Sequence, residues 1–128
     1  MSKQIIQTNK VPAPIGPYSQ AVIANGFLFA SGQVAFDPAT GDLVLDTIQA
    51  ETKQVMENIQ AILEEAMINF NHIVKTTIFL SDMGLFAQVN EVYGSYFSAD
   101  FPARETVAVK TLPRNVNVEI SVTAVISL

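Results

Sequence analysis

Two residues in this sequence are of a type, and in a setting, that could do chemistry. Arg104 lies in "FPARET", Phe101 to Thr106, between a Pro-Ala pair and the run Thr106-Val107-Ala108-Val109, which reads as the start of a strand. The chain has only seven cationic residues, so a guanidinium at a strand mouth needs a reason. A planar guanidinium can take a carboxylate through two parallel hydrogen bonds, fixing position and angle together. Glu119 stands inside the apolar run "VNVEISVTAVISL". A carboxylate there can orient a water and take its proton. Each residue also has a plainer reading. Arg104 can be a surface cation or an ion-pair partner, and Glu119 a solvated strand carboxylate.

Other chemistries find little support. There is no cysteine, which excludes a disulfide framework, a thiolate zinc site and a cysteine nucleophile. The sole histidine, His72, precedes a strand and reads as structural or exposed. Zinc catalysis needs several ligands that this chain lacks outside its carboxylates. No Gly-rich loop offers a phosphate cradle. The expectation is a protein with no metal and no cofactor.

The bulk properties set the frame. A chain of 128 residues is the size of one ordinary domain, expected here over residues 1–128. The stretch "MSKQIIQTNK" lacks the apolar core of a secretory signal, and no apolar run approaches membrane-spanning length. A soluble cytoplasmic protein with no membrane partner is expected. The formal net charge is -5, and the cations Lys3, Lys10, Lys53, Lys75, Arg104, Lys110 and Arg114 are scattered among twelve acids. Nucleic-acid binders need a basic stripe, so no nucleic-acid partner is expected. Hydrophobic residues make up 49% of the chain and charged residues 15%, against roughly a quarter charged in typical soluble domains. That contrast points to a second apolar face buried between subunits.

The pattern along the chain predicts the elements that must position Arg104 and Glu119. Two apolar runs in "SQAVIANGFLFASGQVAF", Ser19 to Phe36, flank Asn25-Gly26, a dipeptide suited to a type I′ hairpin turn. From Thr47 to about Phe70, Ile48, Val55, Ile59, Ile62 and Ala66 form one helical face, with Glu51, Lys53, Glu57, Glu64 and Glu65 off it. Asp46 or Thr47 is the expected N-cap. "HIVKTTIFLSD", His72 to Asp82, reads as a buried strand, and "LFAQVNEVYGSYF", Leu85 to Phe97, as a short helix. "ETVAVKTL" and "VNVEISVTAVISL" supply two more strands, and Gln4 to Gln7 a short first one. The fold class is α+β, with two helices on one face of a single sheet. Alternation along the last strand sends Val116, Val118, Ile120, Val122, Ala124 and Ile126 toward the helices and Glu119 to the other face.

Four segments taken together, in order, carry a resemblance over essentially the whole chain. They are "IGPYSQ" (Ile15 to Gln20), "SGQ" (Ser31 to Gln33), "FPAR" followed by Leu112-Pro113, and "VEI" (Val118 to Ile120). "VKTTIFLSDM" and "FAQVNEVYGSYF" between them add to it. The chain resembles the Rid family, the reactive intermediate deaminases, also called the YjgF family. The resemblance implies a chorismate-mutase-like fold and a homotrimer whose sheets form a central barrel, with active clefts between subunits. It implies hydrolysis of 2-imino acids such as 2-iminobutanoate and 2-iminopropanoate, and of their enamine tautomers, to 2-keto acids and ammonia. Arg104 matches the family arginine that holds the substrate carboxylate, and Glu119 the acid that handles the attacking water. Tyr18, Ser31, Gly32 and Asn90 match residues lining the cleft, and Thr106 stands where relatives often have cysteine. Glu105 departs from the pattern, since a small residue usually follows the arginine. Strand alternation puts Glu105 opposite Arg104; a bulge would let the two pair. One other function stays open, a non-catalytic module that binds small carboxylates such as 2-keto acids; the acidic charge, single histidine and lack of a basic patch argue against the ribonuclease or translation-inhibitor role named for some relatives.

Overall fold

The computed structural model describes residues 2–128. Its strands are β1 (Gln4–Ile6), β2 (Ala21–Ala24), β3 (Phe27–Ala30), β4 (Ile73–Leu80), β5 (Ala103–Ala108) and β6 (Val118–Val125). The helices are α1 (Ile48–Glu65) and α2 (Phe86–Gly94). The six strands form one sheet in the order β1-β2-β3-β6-β4-β5. Only β4 and β5 run parallel, and α2 lies in the crossover that such a pair requires.

The hairpin follows from its turn. Asn25 and Gly26 both take positive φ, 53° and 82°, and Ala24 pairs with Phe27 directly across them. This is the two-residue turn whose twist suits a hairpin. Thr47 caps α1, its hydroxyl accepting from the Ala50 N–H at 3.0 Å. Val55, Ile59 and Ile62 on the predicted face are fully buried. They meet Val118, Ile120, Val122 and Ala124 of β6, also buried, in one core under the sheet.

Several boundaries differ from the sequence pattern, each for a local reason. The helix α1 ends at Glu65, and Met67 takes φ 63°, which no α-helix continues through. The strand β5 begins at Ala103 because it pairs back to Lys75. It stops at Ala108 because its partner β4 ends at Leu80. The second hairpin strand stops at Ala30. Phe29 faces Thr123 but Gln33 faces Ile120, so four residues on one side span three on the other. Ser31 and Gly32 lie in that bulge.

Glu51 corrects the helical-face reading. The spacing sets it off the apolar face, yet it is 0% exposed. Its carboxylate accepts from Asn117 N at 2.8 Å, Asn117 Nδ2 at 2.9 Å and Val118 N at 3.3 Å. Three donors at the entrance to β6 replace the water that a buried carboxylate would lose. The first turn of α1 is thereby tied to the strand that carries Glu119. Glu51→Ala leaves those donors unmatched, and we expect a loss of about 3 kcal/mol in urea unfolding, with an unchanged slope.

Candidate active site

Arg104 is the second residue of β5 and faces α2. Its register partner on β4 is Thr76, which is fully buried and accepts from the Tyr93 hydroxyl at 2.9 Å. The guanidinium carbon lies 5.6 Å from the Phe86 ring centre and 5.3 Å from that of Tyr93. One terminal nitrogen donates to Asn90 Oδ1. Phe86, Asn90 and Tyr93 share one face of α2 at helical spacing. Burial pushes the Tyr93 phenol above its ordinary value, more than the Thr76 bond and Arg104 pull it down, so the ring stays neutral beneath the cation. Neither ion pair among the described residues involves Arg104. It opens onto a cavity of about 450 Å³ lined also by Phe101 and Pro102. Thr106 points to the same side, with a buried hydroxyl that has no hydrogen-bond partner among the described residues.

Glu119 sits on β6 between buried Val118 and Ile120, so its side chain leaves the opposite face of the sheet. The bulge at Ser31 and Gly32 makes its seat. A Cβ placed on Gly32 would lie 2.8 Å from Glu119 Cδ. Any side chain at Gly32 would push the Glu119 carboxyl from this seat, which is the close approach a strand glycine can signal. The Ser31 hydroxyl donates to Ser19 O at 2.6 Å, fixing the bulge to the segment that carries Tyr18. Tyr18 is 57% exposed and, with Gly32 and Gln33, borders a second cavity of about 270 Å³. Burial alone raises the Glu119 carboxyl above the ordinary glutamate range.

The structure therefore brings the candidate residues together as two walls, not one site. Asn90, Arg104 and Thr106 form the wall beside α2. Tyr18, Ser31, Gly32 and Glu119 form the other. Register places them apart: Glu119 pairs with Phe79, Phe79 with Val107, and Val107 projects opposite to Arg104 and Thr106. Within one chain the arginine and the acid stand on opposite faces of the sheet. Glu105 also projects away from Arg104, and no bulge joins them. Its carboxylate accepts from the Thr77 hydroxyl and pairs with Lys75 Nζ at 3.0 Å. Thr77 first, then Lys75, hold the Glu105 carboxyl below the ordinary range.

Two residues of the arginine wall escaped the motif reading. Phe86 and Tyr93 stand four residues before and three after Asn90, a spacing that carries the signal. Among the described residues no three histidine or acidic side chains gather to hold a metal, and no helix is long and apolar enough to cross a membrane. The direction of the Glu119 shift fixes a stability test. A raised carboxyl favours the folded state when protonated and penalises it once pH rises through the folded pKa. Glu119→Gln should melt above the parent near pH 7, with the gap closing toward pH 4, as read by calorimetry at both pH values.

The comparisons extend along nearly the whole chain. The family described as endoribonuclease L-PSP matches residues 8–126. The 2-iminobutanoate/2-iminopropanoate deaminase of Mus musculus is 46% identical, with 96% of this chain and 91% of that protein aligned. Other relatives of similar identity carry only a family name, RutC. A solved Rid-family structure from Yersinia pestis superposes with a TM-score of 0.94 at 48% identity, covering 97% of this chain and 99% of that one. The structure of E. coli TdcF with bound serine gives 0.90 at 38% identity, covering 95% and 98%. The chain belongs to the endoribonuclease L-PSP family, the group also called Rid or YjgF.

Proposed function

We propose that this protein is a cytoplasmic hydrolytic deaminase of small 2-imino acids, working in clefts between the subunits of a homotrimer. The substrates are 2-iminobutanoate, 2-iminopropanoate and their enamine tautomers; the products are 2-keto acids and ammonia. The observation that carries the reading is the state of Arg104. It is held between two rings and one amide, with no acid paired to it, facing an open cavity. A structural ion pair would have satisfied it. A preorganised, unpaired guanidinium is what a small carboxylate needs. The deaminase name of the mouse relative and the serine bound to TdcF support the same substrate class.

The two walls imply the assembly. A subunit that offers its arginine on one side and its acid on the other can complete a site only with a copy of itself. Such a contact would join unlike surfaces, and three copies related by a closing rotation would form the ring. The face that carries Glu119 also exposes Ile5, Phe27, Phe29 and Val107, an apolar surface of the kind that subunits cover. In the assembled cleft, Arg104 and Asn90 would face the partner subunit's Glu119.

The chemistry needs no metal or cofactor. Arg104 fixes the carboxylate, which sets the place of the imine carbon. The imine enters protonated at nitrogen, and Glu119 takes a proton from water as the water oxygen bonds to the imine carbon. The same proton passes to nitrogen, the C–N bond breaks and ammonia leaves. The carbinol hydroxyl loses its proton through Glu119 to solvent as the C=O bond forms. General base catalysis of this kind contributes on the order of 10²- to 10⁴-fold. Nucleic acid stays outside the proposal, because a chain of net charge -5 with scattered cations has no basic stripe.

The direct test couples the protein to a serine/threonine dehydratase, follows keto-acid release and traps surviving imine with semicarbazide. We expect Arg104→Ala to abolish the acceleration. Glu119→Gln should lower turnover while 2-ketobutanoate still binds by calorimetry. The acid limb of the parent pH–rate profile should be missing from Glu119→Gln. Normal turnover in both variants refutes the site. Binding of the keto acid by the parent without faster imine decay would make the protein a carboxylate-binding module. Sedimentation should give the mass of three chains.

A further inference from the structure

Arg114 is a second guanidinium set up like the first, on the other wall. It follows Pro113 in the short turn that leads into β6. Its φ is 60° and that of Asn115 is 56°, two successive non-glycine residues in the left-handed region. Such a backbone costs on the order of 1–3 kcal/mol per residue and persists where the surroundings demand it. The turn lays the guanidinium carbon 5.4 Å from the Phe36 ring centre. Arg114 then borders the cavity of about 270 Å³ that Tyr18, Gly32 and Gln33 also line. No acid pairs with it, and its guanidinium donates no hydrogen bond among the described residues. Lys53 and Lys75 both have carboxylate partners. In a chain of net charge -5, two arginines are stacked on aromatic rings without an acid, and each borders a cavity beside one of the two walls.

Covering Phe36 explains the stem of Arg114 but not its free fork. An aliphatic side chain would shield the ring without the charge. Arg114 borders the same cavity as Tyr18 and Gly32, two residues of the wall that carries Glu119, whereas Arg104 borders a cavity on the other. When two walls meet in a cleft, one guanidinium grips the carboxylate next to the imine. The second faces whatever the substrate carries at its far end. We propose that Arg114 is a second anion-binding point, so that the cleft accepts 2-imino acids bearing a further carboxylate at the end of the side chain. This selectivity rests on the two-wall reading above. The reaction is unchanged: water adds to the same carbon and ammonia leaves.

The test uses the assembled protein and two stable keto acids in place of the imines, 2-oxobutanoate with one carboxylate and 2-oxoglutarate with two. Titration calorimetry gives the ratio of their affinities. Arg114→Met keeps an aliphatic cover on Phe36 and removes the charge. It should shift the ratio about tenfold against 2-oxoglutarate, the scale of one charge-assisted hydrogen bond. Arg114→Lys should recover most of that shift. In the parent, 2-oxoglutarate binding should also weaken more steeply with salt than 2-oxobutanoate binding. A ratio within about twofold of the parent in Arg114→Met, or equal salt slopes, overturns the proposal. Arg104→Ala separates the two readings. If it abolishes 2-oxobutanoate binding while Arg114→Met leaves the ratio alone, only the Arg114 role falls. If it leaves 2-oxobutanoate binding intact while Arg114→Met shifts the ratio, the anchor falls and the second point stands. A parent that binds neither acid overturns both.

Discussion

Side chains alternate across a strand, and residues in register on neighbouring strands share a face. Those two constraints decide everything about this molecule's chemistry. Thr76 and Arg104 are partners on one face; Phe79, Glu119 and Val107 are partners on the other. Glu119 cannot turn to the opposite side without a register slip that would expose Val118 and Ile120, both fully buried. The hydrophobic core thus holds the cation and the acid back to back. In the proposed reading, their meeting in one cleft would come from contact between copies.

Each wall is built by a different kind of packing. The arginine wall depends on aromatic surfaces, with Phe86 and Tyr93 limiting the guanidinium to one plane and Asn90 limiting its rotation. Preorganisation of this sort lowers the entropy that a ligand must otherwise supply. The acid wall depends on an absence. Gly32 has no side chain, and Glu119 packs into the space. Its carboxyl is tuned by partial burial, with no cation of its own chain contributing. In a single chain only burial acts, since the guanidinium is on the far side.

Much of the architecture was legible where one local rule dominates. Asn25-Gly26 announced its hairpin, Asp46-Thr47 the start of its first helix, where Thr47 proves to be the cap, and the alternating apolar residues from Val116 to Ala124 their buried face. What was not legible depended on partners distant in sequence. Glu51 reads as a solvent-side helix residue until the amides of Asn117 and Val118 arrive beside it. A glycine within a strand pattern is compatible with either a bulge or a close approach, and only the pairing of Gln33 with Ile120 shows that Ser31 and Gly32 form a bulge. The opposition of Arg104 and Glu119 needed the register of β5 on β4 and of β4 on β6, which no local pattern supplies.

The open face of the sheet carries one further lesson. Lys75 and Glu105 pair there beside Thr77, among otherwise small or apolar neighbours. A lone charge on such a surface would resist being covered, because desolvating it is expensive. A matched pair presents a dipole in place of a net charge. It can be sealed beneath a second chain at smaller electrostatic cost, and its fixed orientation favours one angle of approach over others. In the proposed assembly, the glutamate that breaks the usual pattern after the arginine would give the sheet a polar landmark by which an incoming copy is aligned.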